Sequence, residues 1–362
     1  MSTATKTAQK WIVLGDATDR QGRVHDVGWP IQDMYTHGSI YGTTGSGKTT
    51  LMNNLIQQLI MSGCITLVVT PHADMIFDSK DGLLARMAPK YLHRVILLDP
   101  SQPYLPQLSL VPAGLSPSKT TETLLARIRS MEPSSWEDNT MMRQVLTHAV
   151  RALVAADGTT MMSTIDRFLK DDAFRDAITN RIPDMARETR EFWEDVAEKL
   201  AEAKTDNTRA RYFDPAQRRI DGFMTNDPLK WSLALPPMHP QATVNLHEQL
   251  QQAGPLLILV PLLEHKIGPV AMRMLGNLIV DLTVSACISR PPEKRVPTLL
   301  FIDELPNVIG TANIGHLLAR IFAEFRKFAL GTFVAFQSPD QLPSKLRKDI
   351  ESLANTKIVM KV

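Results

Sequence analysis

Cysteine is scarce: Cys64 and Cys287 are the only two in 362 residues, and both sit inside apolar runs. No second Cys or His stands near either at metal-ligand spacing, which excludes a disulfide framework and a cysteine-built zinc site and predicts two reduced core thiols. Long apolar runs are also missing. The longest, Leu256 to Leu263, falls far below the roughly 20 residues that span a bilayer. The start, MSTATKTAQKW, has no apolar signal-peptide segment, so the expectation is a cytoplasmic chain without a transmembrane segment. Charge of one sign is absent too. A net charge of +2 excludes a polycation, and any nucleic-acid contact has to come from a local patch. No low-complexity tract interrupts a composition that is 44% hydrophobic and 22% charged, which predicts a sizeable folded core.

What is present alternates. Residues 1–36 hold the apolar run Trp11 to Leu14 and then a Gly- and Asp-rich stretch, predicting a small strand-and-turn segment. From Gly38 the order is a short strand (Ser39 to Tyr41), a Gly-rich loop, and a helix with apolar residues at Leu51, Met52, Leu55, Ile56, Leu59 and Ile60. The β-branched run Ile65 to Val69, ended by Pro71, reads as a strand buried on both faces. Helical spacing over 81–88 leads to a third strand, Val95 to Leu98. Strand signals then stop between about Val111 and Thr243, where Thr121 to Met131, Met141 to Ala155, Ile165 to Ile178 and Glu188 to Lys204 carry helical periodicity. Strands return at Leu256 to Val260, Thr298 to Ile302, Thr332 to Phe336 and Lys357 to Lys361, with a helix over Val270 to Ser289. The pattern predicts an α/β P-loop core with a mainly parallel sheet, in two halves (37–112 and 243–362), interrupted by an inserted all-helical domain (113–242).

Gly42-Thr43-Thr44-Gly45-Ser46-Gly47-Lys48-Thr49 fits G-x-x-x-x-G-K-[ST] in full, between a strand and a helix, with Thr50 following. Such glycines let backbone amides close around a polyphosphate; Lys48 is placed for the β- and γ-phosphates and the Thr49 hydroxyl for Mg²⁺. Thr298-Leu299-Leu300-Phe301-Ile302-Asp303-Glu304 is an apolar strand ending in two carboxylates. Asp303 is the candidate acceptor for the Mg²⁺ water shell, and Glu304 the candidate general base. ATP and Mg²⁺ are therefore the expected cofactors. Gln337, directly after the strand Thr332 to Phe336, is placed to bridge a γ-phosphate and an attacking water. Arg326 is a candidate arginine finger for a neighbouring subunit, with Arg320 competing.

Other features have two readings. His72 and Asp74 either line the site or, the favoured reading, cap the turn after Pro71. Arg209, Arg211, Arg218 and Arg219, interleaved with Tyr212 and Phe213, suit phosphate gripping and base stacking or, the favoured reading, a solvated helix or loop. The pairs Met141-Met142 and Met161-Met162 read as helix-core filler.

With the P-loop, L-L-F-I-D-E-L and F-V-A-F-Q in that order, the chain resembles the HerA/FtsK superfamily of DNA-pumping ATPases, and within it the coupling proteins of conjugative type IV secretion. Thr70-Pro71-His72-Ala73-Asp74 is similar to a D-P-H-G-D pattern, departing from it at Thr70 and Ala73. The resemblance runs over residues 35–362 and implies a RecA-like core with an all-α insertion, a homohexameric ring, DNA in its pore without sequence preference, and secretion-channel or relaxase partners. It implies roles for Lys48, Thr49, Asp303, Glu304, Gln337 and, in trans, Arg326. Two further readings keep the ATPase: a secretion-energising enzyme with protein cargo, or a repair or packaging motor. A nucleotide-gated switch fits Glu304 poorly. The absence of an N-terminal membrane pair and the end at Val362 are expected of a soluble member or of a chain without its flanking segments. For a cytoplasmic chain, the resemblance implies docking at the inner face of the cell membrane.

Overall fold

The structure, a computed structural model, describes residues 11–102, 107–131, 136, 138–202, 207–234, 243–309 and 314–361. The first ten residues, the predicted helix end at Lys204 and the predicted domain boundary at 242 lie outside the described residues. In chain order the strands are β1 (Trp11–Thr18), β2 (Val24–Pro30), β3 (Gly38–Tyr41), β4 (Ile65–Thr70), β5 (Val95–Leu97), β6 (Gln107–Leu108), β7 (Thr243–Val244), β8 (Leu256–Pro261), β9 (Thr298–Ile302), β10 (Leu330–Phe336) and β11 (Thr356–Val359). The chain divides into two compact units: residues 1–99, 250–272 and 283–362 form one, residues 100–249 and 273–282 the other.

The first unit is built on a seven-stranded, all-parallel sheet ordered β11-β3-β10-β9-β4-β8-β5. Parallel strands need crossovers on the sheet faces, so the central strands are covered on both sides. Every residue of β4, β8, β9 and β10 is accordingly buried. The helix Lys48–Met61 turns Met52, Leu55, Ile56 and Leu59 onto the sheet, at about 1.5–3 kcal/mol for each large apolar side chain removed from water. Phe333 packs edge-on to Trp29 and stacks on Phe301, with centroids 5.3 and 5.1 Å apart. The predicted strand-and-turn segment is the antiparallel hairpin β1-β2. Gln58 of the Lys48–Met61 helix joins it to the core, its side-chain amide bonding both the N–H and the C=O of Val13 at 2.8 Å.

Among the described residues one helix, Glu264–Ile288, is long and apolar enough to cross a membrane, but 78% of its most apolar stretch is buried inside the protein. Gly268, at φ 78° and ψ 159°, leaves helical geometry and kinks the element, so that its long helical part starts beside Pro269, close to the predicted Val270.

The second unit holds the helices Pro117–Met131, Thr140–Asp157, Met162–Lys170, Asp172–Thr179, Arg187–Glu202 and Asn207–Met224, with the short parallel pair β6-β7. The single helix predicted over Ile165 to Ile178 is two. Asp171 breaks it and caps the second piece, its carboxylate accepting from the Phe174 N–H at 2.9 Å. Met142 and Met162 are buried, as core filler requires. The arginine cluster does not form one patch. Arg219 is 4% exposed, donates to the Ile128 carbonyl and lies 5.8 Å from the Trp136 ring; Arg209 pairs with Asp172 at 2.7 Å. Phe213 is buried, so it cannot stack on a base, and only Arg211 and Arg218 remain exposed.

Candidate functional site

The register of the sheet decides which loops meet. Phe336 of β10 pairs with Tyr41 of β3, Val334 with Ile302 of β9, and Val69 of β4 with the same Ile302. The residues that follow, Gly42, Gln337 and Asp303, therefore leave the carboxyl edge of the sheet side by side with Thr70, the place where parallel α/β sheets gather ligands.

The loop after β3 is tight. A Cβ on Gly42 would lie 2.7 Å from Met360 Cβ, 2.9 Å from Ser46 Oγ and 3.1 Å from the Lys361 carbonyl. Thr43 fastens the loop to the same carbonyl through its N–H (3.0 Å) and its hydroxyl (2.9 Å). Gly47 stands at the helix N-cap with φ 95°, a conformation only glycine adopts without strain. Lys48, 8% exposed, folds back across the loop and donates to the carbonyls of Gly42 (2.6 Å) and Thr43 (3.2 Å). The result is a cradle: the unsatisfied amides of a helix N-terminus, an ammonium held in place, and the buried Ser46 Oγ without a hydrogen-bond partner. Those groups fit a polyphosphate. Thr49 and Thr50 stand exposed at the start of the helix.

Asp303 and Glu304 follow β9 and are 3% and 6% exposed. Asp303 Oδ2 accepts from the Thr70 hydroxyl at 3.0 Å and Oδ1 from the Glu304 N–H at 3.1 Å. Burial pushes the Asp303 carboxyl above its ordinary value, while the charge of His72 and the Thr70 hydroxyl pull it down. Such a carboxylate is suited to a cation. Glu304 has φ 47°, a left-handed position costing roughly 1–2 kcal/mol for a non-glycine residue. That backbone sets its side chain against Gln337, whose amide donates to Glu304 Oε1 at 3.2 Å, and 4.0 Å from His72 Nε2.

The structure thus brings together the P-loop strand, Asp303, Glu304 and Gln337 along one edge. It does not bring Arg326 to them. Arg326 is exposed on the turn Phe325–Phe328 before β10, and seven strand residues separate that end from Gln337, about 23 Å at the rise of a strand. Arg320 pairs with Glu324 at 3.8 Å and lies 5.9 Å from the Phe325 ring. Thr70 was missed by sequence reasoning, and His72 takes the less favoured of its two readings, facing the site. His72 is the N-cap of the helix Ala73–Phe77 but makes no capping bond with its side chain, and its ring turns to Glu304 instead. The signal lay in strand order: once β4 and β9 are neighbours, the turns after both must face each other.

An all-parallel sheet with a phosphate cradle after one strand and an acidic pair after another defines a RecA-like P-loop ATPase. The family model described as "Helicase HerA, central domain" matches residues 12–231, and the chain belongs to that family. Among solved structures it is similar to the bacterial conjugative coupling protein TrwBdeltaN70 in complex with sulphate, at 17% identity and a TM-score of 0.63 over 98% of this chain and 74% of that one. A structure of the plasmid coupling protein TrwB with ADP and Mg²⁺ is similar at 19% identity and a TM-score of 0.56, over 91% and 71%. VirB4 of Thermoanaerobacter pseudethanolicus is similar at 14% identity and a TM-score of 0.57, over 96% and 83%. These likenesses establish the shared fold. No curated protein sequence matches the chain.

Proposed function

We propose that this P-loop ATPase hydrolyses Mg²⁺-ATP at the edge formed by Gly42 to Thr50, Asp303, Glu304 and Gln337, and uses the energy to move DNA through a ring of identical subunits. The observation that carries the reading is the Gln337–Glu304 hydrogen bond beside a closed P-loop, because a motor needs its general base tied to a group that senses the γ-phosphate. Lys48 neutralises phosphate charge, and Thr49 and Asp303 hold the metal. Glu304 accepts the proton of the attacking water, and Gln337 orients that water. Bound Mg²⁺-ATP supplies the phosphoanhydride and the Lewis acid. The 23 Å or so between Arg326 and Gln337 suits action on a neighbour's nucleotide and not on its own. A ring contacting DNA phosphates without reading sequence would place the protein in the cytoplasm, at the inner membrane face where it serves conjugative transfer with secretion-channel or relaxase partners. TrwB, bound to ADP and Mg²⁺ in a structure of the same fold, supports this choice of cofactors and setting.

The test is the steady-state ATPase rate with and without double- and single-stranded DNA, at low and moderate salt, for the natural chain and Glu304→Gln. DNA stimulation that falls steeply with salt and disappears in the variant is expected. Turnover indifferent to DNA would shift the cargo to protein, and no turnover under any condition would overturn the motor.

A further inference from the structure

We infer that Thr70 is a positioning residue for Asp303: its hydroxyl fixes the carboxylate in the orientation that receives Mg²⁺. The inference rests on the ATPase reading above and concerns a residue outside the groups that reading assigns to nucleotide and metal. Thr70 ends β4 and is fully buried between β8 and β9. Its Oγ1 has two partners at once, accepting from the His72 N–H at 3.1 Å and donating to Asp303 Oδ2 at 3.0 Å. A hydroxyl has one proton, and because an ionised carboxylate only accepts, that proton goes to Asp303 while the oxygen accepts from the His72 N–H. The other oxygen, Oδ1, is held by the Glu304 N–H. The carboxylate plane is thus gripped from two strands, β4 and β9, with one lone pair on each oxygen left over. Neither grip is a salt bridge, so the negative charge stays available to a cation. Partners of this kind, one shell out from a metal ligand, set its orientation.

Thr70→Val keeps the shape and removes the donor, Thr70→Ser restores the donor in a smaller side chain, and Thr70→Ala serves if the valine variant fails to fold. Two quantities are measured: the Mg²⁺ concentration giving half-maximal ATPase rate at saturating ATP, and the equilibrium affinity for a fluorescent ADP with Mg²⁺ and with EDTA. Losing the hydroxyl should raise the half-saturating Mg²⁺ by about 10–100-fold. Turnover at saturating Mg²⁺ and ADP affinity in EDTA should stay close to the natural values, and Thr70→Ser should recover most of the loss. A folded Thr70→Val or Thr70→Ala whose Mg²⁺ titration superposes on that of the natural protein would overturn the inference alone. An equal loss of ADP affinity with and without Mg²⁺ would do the same, since it reports general damage. A natural protein with no Mg²⁺-dependent ATPase turnover would instead remove the ATPase reading and this inference with it.

Discussion

His37 has a positive φ of 63° with ψ 160°, at the entrance to β3, and is 1% exposed. Its Nδ1 accepts from the Thr332 N–H at 3.1 Å, its ring sits edge-on to Phe322, and its Nε2 has no partner. An imidazole so enclosed resists protonation, and burial lowers its pKa from 6.5 to about 4. The sign follows from which state binds the proton. As pH falls below 6.5 the unfolded chain takes up the proton first, so stability is fully present above that pH and is lost between 6.5 and about 4. At 1.36 kcal/mol per pH unit the loss is about 3 kcal/mol. Asparagine keeps an acceptor for Thr332 and does not titrate. Urea midpoints measured from pH 7 to 4 should therefore fall less for His37→Asn than for the natural protein; parallel slopes would show that His37 titrates normally.

At the scale of elements, the P-loop depends on the last strand of the sheet as well as on its own glycines. Thr43 hangs from the Lys361 carbonyl just beyond β11, and the missing Cβ of Gly42 leaves room for Met360. Gly42→Ala should therefore push β11 and the loop apart, weakening nucleotide binding at least tenfold by equilibrium titration while the sheet, which has five strands beyond these two, remains folded. Unchanged affinity would mean that Met360 yields without moving the loop. This dependence also marks what the sequence could reveal. The P-loop, the acidic pair and the strands around them were legible because each is a local signal: glycine spacing, a carboxylate after an apolar run, β-branched stretches. Contacts set by strand order were not. Thr70 lies 233 residues from Asp303, and only the adjacency of β4 and β9 makes them partners. Arg219 misled for a related reason, since its position in an arginine-rich string says nothing about which face of the helix Asn207–Met224 it shares with Ile220 and Phe223 in the core.

For the molecule as a whole, the sheet has two ends with different chemistry. The carboxyl edge carries the phosphate cradle and the carboxylates of Asp303 and Glu304; the amino edge carries exposed Arg326 and Lys327, with Arg295 bonded to the Lys327 carbonyl at 2.6 Å and lying over Phe328. A head-to-tail ring joins unlike surfaces of successive subunits, which would set the amino edge of one against the nucleotide of the next. Two inactive variants then complement each other. Lys48→Ala lacks the cradle but retains Arg326, whereas Arg326→Ala retains the cradle. In an equimolar random mixture, a productive interface pairs an Arg326→Ala site with a Lys48→Ala donor and forms about one time in four, so roughly a quarter of natural turnover should return. Repeating the mixture with Arg320→Ala separates the two arginines, because that side chain is engaged with Glu324 and its loss should leave turnover largely intact on its own. A mixture of Lys48→Ala and Arg326→Ala that stays inactive, while each variant still assembles, would mean that Arg326 does not reach across the interface, and the ring would need another cation for its γ-phosphate.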